Sequence, residues 1–164
     1  MGYRELFLVL VSIVLFAEVS SRINNELLTG QSALQEIEIE NMAIGLAQRF
    51  FEEAEARKFD FYVGIEDPDT FPGSFTPWWG LGSPTWEIYP AFDDLDDFHN
   101  FQITNAVEGI DFTVASTVGY VEDLAPETIV SDETFHKKMT VTVSSSWMKN
   151  TVTQTRVFSY FGRE

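Results

Sequence analysis

Asp93-Asp94-Leu95-Asp96-Asp97 puts four carboxylates into five residues, with Asn100 close behind. Carboxylate and amide oxygens are the hard ligands that Ca²⁺ takes, so Asp93, Asp94, Asp96 and Asp97 are the candidate metal ligands. The run lacks the alternating ligand spacing and central glycine of an EF-hand loop. A solvated acidic turn is the more ordinary reading. Trp78 and Trp79 are adjacent in a loop-like stretch and form a candidate stacking platform for a carbohydrate or another partner. The only histidines are His99 and His136, and His136 beside Lys137 and Lys138 reads as polarity at the entry to a strand. No nucleophile elbow, zinc-binding helix, phosphate-binding loop or dinucleotide fingerprint occurs. Carboxylates are plentiful, but nothing singles out an acid–base pair. The expectation is therefore a protein that is not an enzyme and needs no cofactor beyond a candidate Ca²⁺.

Glu5 is the other residue with chemistry to explain. It stands beside Arg4 and directly before an unbroken apolar run from Leu6 to Ala17. A carboxylate at the edge of an apolar bundle is expensive unless it is paired. The run of twelve residues would span about 18 Å as a helix, and residues 1–17 about 25 Å, against a hydrocarbon core of roughly 30 Å. That suits a marginal anchor, a signal sequence, or a helix that packs with its own copies. As a signal sequence its first residues are atypical, because Arg4 is cancelled by Glu5 and no A-x-A cleavage site follows.

Charge narrows the partners. The chain has 164 residues and a formal net charge of −16. From Phe59 to His136 there are sixteen Asp or Glu and no Lys or Arg, while the remaining acidic and basic residues cancel. Nucleic-acid binding needs a basic surface and is excluded on this ground. Cysteine is absent, which removes disulfides and thiolate metal sites.

Three regions carry these residues. Residues 1–58 contain no proline and read as one long helix, or two joined. Residues 1–17 form its apolar segment. Residues 18–30, with Ser20, Ser21, Asn24, Asn25, Thr29 and Gly30, are poor helix formers and are expected to unwind partly in an assembly. Helical spacing returns through Ala33, Leu34, Ile37, Met42, Ile44, Ala47, Phe50, Phe51 and Ala54. Residues 59–102 hold five of the six prolines and many aromatics, so they read as a long acidic loop pinned by its rings. Residues 103–164 alternate as strands over Asp111–Glu122, Met139–Ser145 and Thr151–Phe161. The expected fold class is α+β: a long N-terminal helix, apolar in its first half, packed on an antiparallel sheet of three to four strands.

In this layout the chain resembles the type IV pilins and the pseudopilins of type II secretion. Glu5 falls where that family carries a glutamate, directly before Leu6-Phe7-Leu8-Val9-Leu10. Ala47-Gln48-Arg49-Phe50-Phe51-Glu52-Glu53-Ala54 with Phe59-Asp60, and Phe92-Asp93-Asp94-Leu95-Asp96-Asp97-Phe98-His99, look like minor-pilin-type stretches. Arg4 departs from the family's apolar pattern, the helix-breaking proline after the apolar run is missing, and no basic leader ending in glycine is visible. The resemblance implies a structural subunit of an extracellular helical filament on the cell surface, with its helix held in the inner membrane before assembly. It implies a homo-oligomer served by pilus or secretion machinery. The implied assembly residues are Met1, Arg4, Glu5, Leu6, Leu8, Val9, Leu10, Ile13, Val14 and Phe16, with Glu5 pairing the N-terminal amine of a neighbouring subunit. A membrane-anchored or secreted acidic β module that binds a partner or carbohydrate, and a secretion pseudopilin, are the alternatives.

Overall fold

The computed structural model describes residues 2–63, 72–84 and 87–160. Helix α1 runs Tyr3–Glu55 as one element. The chain divides into two compact units within it, Met1–Ile39 and Glu40–Glu164.

In the first unit α1 is continuous through 18–30. Its weak helix formers are accommodated locally. The Thr29 hydroxyl donates to the Asn25 carbonyl at 2.9 Å, and Arg22 pairs with Glu18 one turn earlier at 2.7 Å. Unwinding was expected only of an assembled state, and the single chain keeps the helix.

In the second unit, Ala43, Leu46, Ala47, Phe50, Phe51 and Ala54 are buried at helical spacing and form the packing stripe of α1. The sheet they serve has five antiparallel strands, β1 (Phe101–Val107), β2 (Ile110–Glu122), β3 (Ala125–Val130), β4 (His136–Ser144) and β5 (Val152–Ser159). Its order is β1-β2-β4-β5, and β3 pairs with the far end of β2. The expected three to four strands become five because β1 opens at Phe101, inside the stretch read as loop, and β3 is short and mostly exposed. β1 and β2 are joined by a two-residue turn, Glu108-Gly109, with φ of 51° and 83°. Two positive φ values are the mark of a type I′ hairpin, whose twist matches that of paired strands. β3 can lie close because Gly119 has no side chain; a Cβ there would sit 2.9 Å from Ile129.

One face of the sheet is the core. Phe112, Val114, Ser116, Val118 and Tyr120 of β2 are buried, and so are Lys137, Met139, Val141 and Val143 of β4. The register sets Val118 opposite Met139 and Tyr120 opposite Lys137. The loop between helix and sheet is pinned by rings, as its composition suggests. Phe75, Phe92 and Phe98 are buried, and Phe92 meets Phe101 edge-on with centroids 5.0 Å apart. Phe71 and Trp86 lie outside the described residues.

Candidate functional site

The first candidate region is the apolar segment. Every large apolar residue from Leu6 to Phe16 is more than a third exposed, including the expected assembly residues Leu6, Leu8, Val9, Leu10, Ile13, Val14 and Phe16. Met1 lies outside the described residues. An eighteen-residue window of α1 reaches a mean hydropathy of 2.1 with none of it buried, so by length and composition the helix could cross a membrane. Its polar groups are kept quiet: the Ser12 hydroxyl donates back to the Leu8 carbonyl at 2.8 Å. The Glu5 carboxylate accepts from the Gly2 backbone N–H at 3.2 Å rather than meeting Arg4. That is half of a capping box, in which the third helical residue reaches back to the residue before the helix.

The second region is a charged core in the Glu40–Glu164 unit. Lys137 is fully buried, with Nζ 2.6 Å from Asp60 Oδ2, 2.5 Å from Asp96 Oδ1 and 3.1 Å from the Phe59 carbonyl. Its ammonium also lies over the rings of Phe59 and Tyr120, at 4.7 and 5.0 Å from their centroids. Asp60 collects further donors: the backbone N–H groups of Tyr62 and Thr76, the Thr76 hydroxyl and the Tyr120 hydroxyl. Burial pushes the Asp60 carboxyl up, but the Lys137 ammonium and these hydrogen bonds outweigh it and hold it below the ordinary value. Asp96 fares differently. Burial and the neighbouring Asp60 and Asp94 push it up to about 8, against the pull of Lys137. The asymmetry has a structural cause. One ammonium faces two carboxylates, and the one with more donors keeps the charge, while Asp96 Oδ2 is buried with no hydrogen-bond partner among the described residues. Tyr120 is pushed up by burial and by the adjacent carboxylates, so it acts as a donor.

The acidic run is not a solvated turn. Asp94, Asp96 and Asp97 are buried, which corrects that reading. The reason is that the chain uses them to tie its own bend. Asp94 Oδ1 accepts from the Asp96 and Asp97 N–H groups, and Asp97 Oδ2 accepts from those of Asp93 and Asp94. Burial, reinforced by Asp97, pushes Asp94 up to about 7. The four candidate Ca²⁺ ligands do not point at one centre, because Asp96 turns to Lys137. Oxygens of Asp93, Asp97 and Glu87 do come within 4.8 Å of one another.

Trp78 and Trp79 sit on a short 3-10 turn, Trp78–Gly80, and both are exposed. His99 Nδ1 lies 2.5 Å from the Val118 carbonyl oxygen. His136 Nδ1 lies 2.8 Å from Ser159 Oγ, and its Nε2 is 3.9 Å from Asp123. That trio has the residue types of a nucleophilic triad but not the geometry. At 3.9 Å the highly exposed Asp123 makes no hydrogen bond that could fix the imidazole.

No family model, curated protein or solved structure matches this chain.

Lys137, Tyr120, Thr76 and Asp60 are the site residues that sequence reasoning did not select. The signal for Lys137 was present in the alternation, since it shares the parity of Met139, Val141 and Val143.

Proposed function

We propose that this chain is a structural subunit of an extracellular, type IV pilus-like helical filament and polymerises through its apolar N-terminal helix. The observation that carries the reading is the unburied face from Leu6 to Phe16. Burying one such side chain is worth about 1.5–3 kcal/mol. Ten of them, each 38–75% exposed, come together to roughly 9–17 kcal/mol, on the scale of the roughly 4–15 kcal/mol that association costs. The segment therefore does not stay in water, and repeating the same contact between copies gives an open helical assembly. Before assembly a bilayer covers it.

Glu5 then has two roles to divide, capping its own helix and pairing with a neighbour's amine. Glu5→Gln separates them. Glutamine keeps the capping hydrogen bond but carries no charge. Helix content should be unchanged by circular dichroism while filament yield drops at least about tenfold, the loss expected of one charge-assisted contact. Normal filament yield would remove the pairing role.

The runner-up is a membrane-anchored or secreted module that binds a partner through its Trp loop, favoured by the exposure of Trp78 and Trp79. Electron microscopy of material sheared from the cell surface, with mass spectrometry of the N-terminal peptide, distinguishes the two. Filaments whose subunits retain the Leu6–Phe16 segment support assembly. A monomeric chain without that segment supports the binding module.

A further inference from the structure

Beyond the apolar run, α1 carries a second set of exposed apolar side chains. Ile23, Leu27, Leu34 and Ile37 are each more than half exposed. With Ser20 and Gly30 they stand alternately three and four residues apart, which is a repeat of seven. The phase continues back through Phe16 and Ile13 into the apolar run. We infer that this seam, residues 20–37, docks on the same seam of a second copy as a parallel two-stranded coiled coil.

The period names the partner. An α-helix has 3.6 residues per turn, so a strict seven-residue repeat drifts round a straight helix by about 20° per heptad. The seam stays in contact only when the helix winds left-handed about another helix of the same period. A second α1 is such a helix. Leu28 lies outside the seam and Val19 on its flank.

The flanking charges fit that partner. In a parallel pair Val19, Glu26 and Ala33 of one helix meet Asn24, Gln31 and Glu38 of the other. Each of these contacts holds at most one charge, so no two carboxylates are forced together. The polar groups away from the seam are engaged within their own helix. Arg22 pairs with Glu18 at 2.7 Å, and the Ser32 hydroxyl donates to the Thr29 carbonyl at 2.9 Å. At Gly30 nothing lies within 4 Å of where a Cβ would stand, so two helices can approach closely at that layer.

The inference deepens the reading above and rests on it in one respect. The parallel direction follows if one bilayer holds the apolar segments of both copies. The pair belongs to that state, before any assembly in which residues 18–30 unwind. Every residue of the seam lies in the Met1–Ile39 unit.

The test uses the full chain in detergent micelles, where filaments are absent. The chain has no cysteine, so single cysteines report contacts cleanly. Leu27→Cys places a thiol in the seam, and Asn25→Cys places one on the opposite face. Equivalent seam positions of a parallel pair lie within disulfide reach. Under mild oxidation Leu27→Cys should therefore give at least about fivefold more disulfide dimer than Asn25→Cys. An equal mixture of Leu27→Cys and Leu34→Cys chains should join 27 to 27 and 34 to 34. Leu27→Lys with Leu34→Lys, at exposed positions, should lower the dimer fraction in sedimentation at least about fivefold. Equal crosslinking at 25 and 27 would mean that the copies merely share a micelle, and would overturn the inference. So would a dominant 27-to-34 product, or a dimer that the double lysine variant leaves unchanged. Seam crosslinking without filaments after detergent removal would count against the filament reading and leave the paired seam standing.

Discussion

The two units of this chain invert the usual placement of residues in opposite ways. From Leu6 to Phe16 large apolar side chains face outward, whereas Asp60, Asp94, Asp96, Asp97 and Lys137 face inward. Proteins ordinarily do the reverse in both respects. The first inversion leaves free energy unspent, available to whatever covers the helix. The second is met mostly within the chain, since Lys137 and Asp60 satisfy one another and Thr76 and Tyr120 donate to Asp60, which leaves Asp96 Oδ2 without a partner among the described residues. An exposed apolar stretch asks for a partner, and a satisfied buried charge asks for nothing further. On the proposed reading, assembly would belong to the first unit and fold specification to the second.

The largest effect on folding should come from Lys137→Met. It leaves Asp60 and Asp96 without their cation, and breaking a buried pair costs about 3–5 kcal/mol. Denaturant unfolding of the full chain in detergent would measure it, and a loss below about 1 kcal/mol, the scale of an exposed ion pair, would break the contrast drawn above.

A smaller and sharper test lies in the two carboxylates. Asp60 holds the charge and Asp96 the proton, so at pH 7 Asp60→Asn should destabilise by about 3 kcal/mol and Asp96→Asn by about 1 kcal/mol or less. The reverse order would show that the charge resides on Asp96.

pH gives the next effect. Asp94 and Asp96 are raised from an unfolded value of 3.8 to about 7 and about 8. Between those limits the native chain keeps protons that the unfolded chain has released, so its stability falls as pH rises. Asp60, held below its ordinary value, acts oppositely and loses its contribution only as pH falls below 3.8. From pH 5 to pH 8.5 the thermal midpoint should drop, with a stability loss of at least about 2 kcal/mol. A midpoint that rises over this range would contradict the assignment. Asp96→Asn should flatten the slope.

Much of the sheet was legible before its structure was known. The alternation from Phe112 to Tyr120 and from Met139 to Val143 marked the inner face, and that face is buried. Glu53 and Arg57, one helical turn apart, pair at 3.7 Å, as that spacing permits. β1 was harder to see, because it opens at Phe101 inside a stretch that reads as loop, and its hairpin rests on Glu108-Gly109 rather than on Asn-Gly or Asp-Gly. β3 carries Pro126 and is mostly exposed, so it has little apolar pattern to find. Ala43 and Leu46 complete the buried helix stripe, whereas Met42 and Ile44, which fit helical spacing equally well in the sequence, are only half-buried.

The charged core was legible only by parity. Lys137 continues the inward alternation of β4, but a lysine is almost never placed inside unless its partner is known. That partner, Asp60, stands seventy-seven residues away in sequence, and no local pattern joins them. The acidic run misled for a related reason. Backbone N–H groups that satisfy Asp94 and Asp97 exist only once the bend has formed.

The most direct measurement is a paired assay on Leu10→Asp with Val14→Asp. Detergent is removed from the purified full chain, filaments are counted by electron microscopy, and unfolding of the Glu40–Glu164 unit is followed by near-ultraviolet circular dichroism. Two carboxylates in a helix-packed apolar core cost several kcal/mol in every subunit contact, roughly 2.5 kcal/mol or more each. The account predicts no filaments from the variant, filaments from the parent, and unfolding midpoints that agree within about 0.5 kcal/mol, as for substitutions outside a folded core. Filaments from the variant, or a domain that unfolds with the substitution, would contradict the division of labour between the two units.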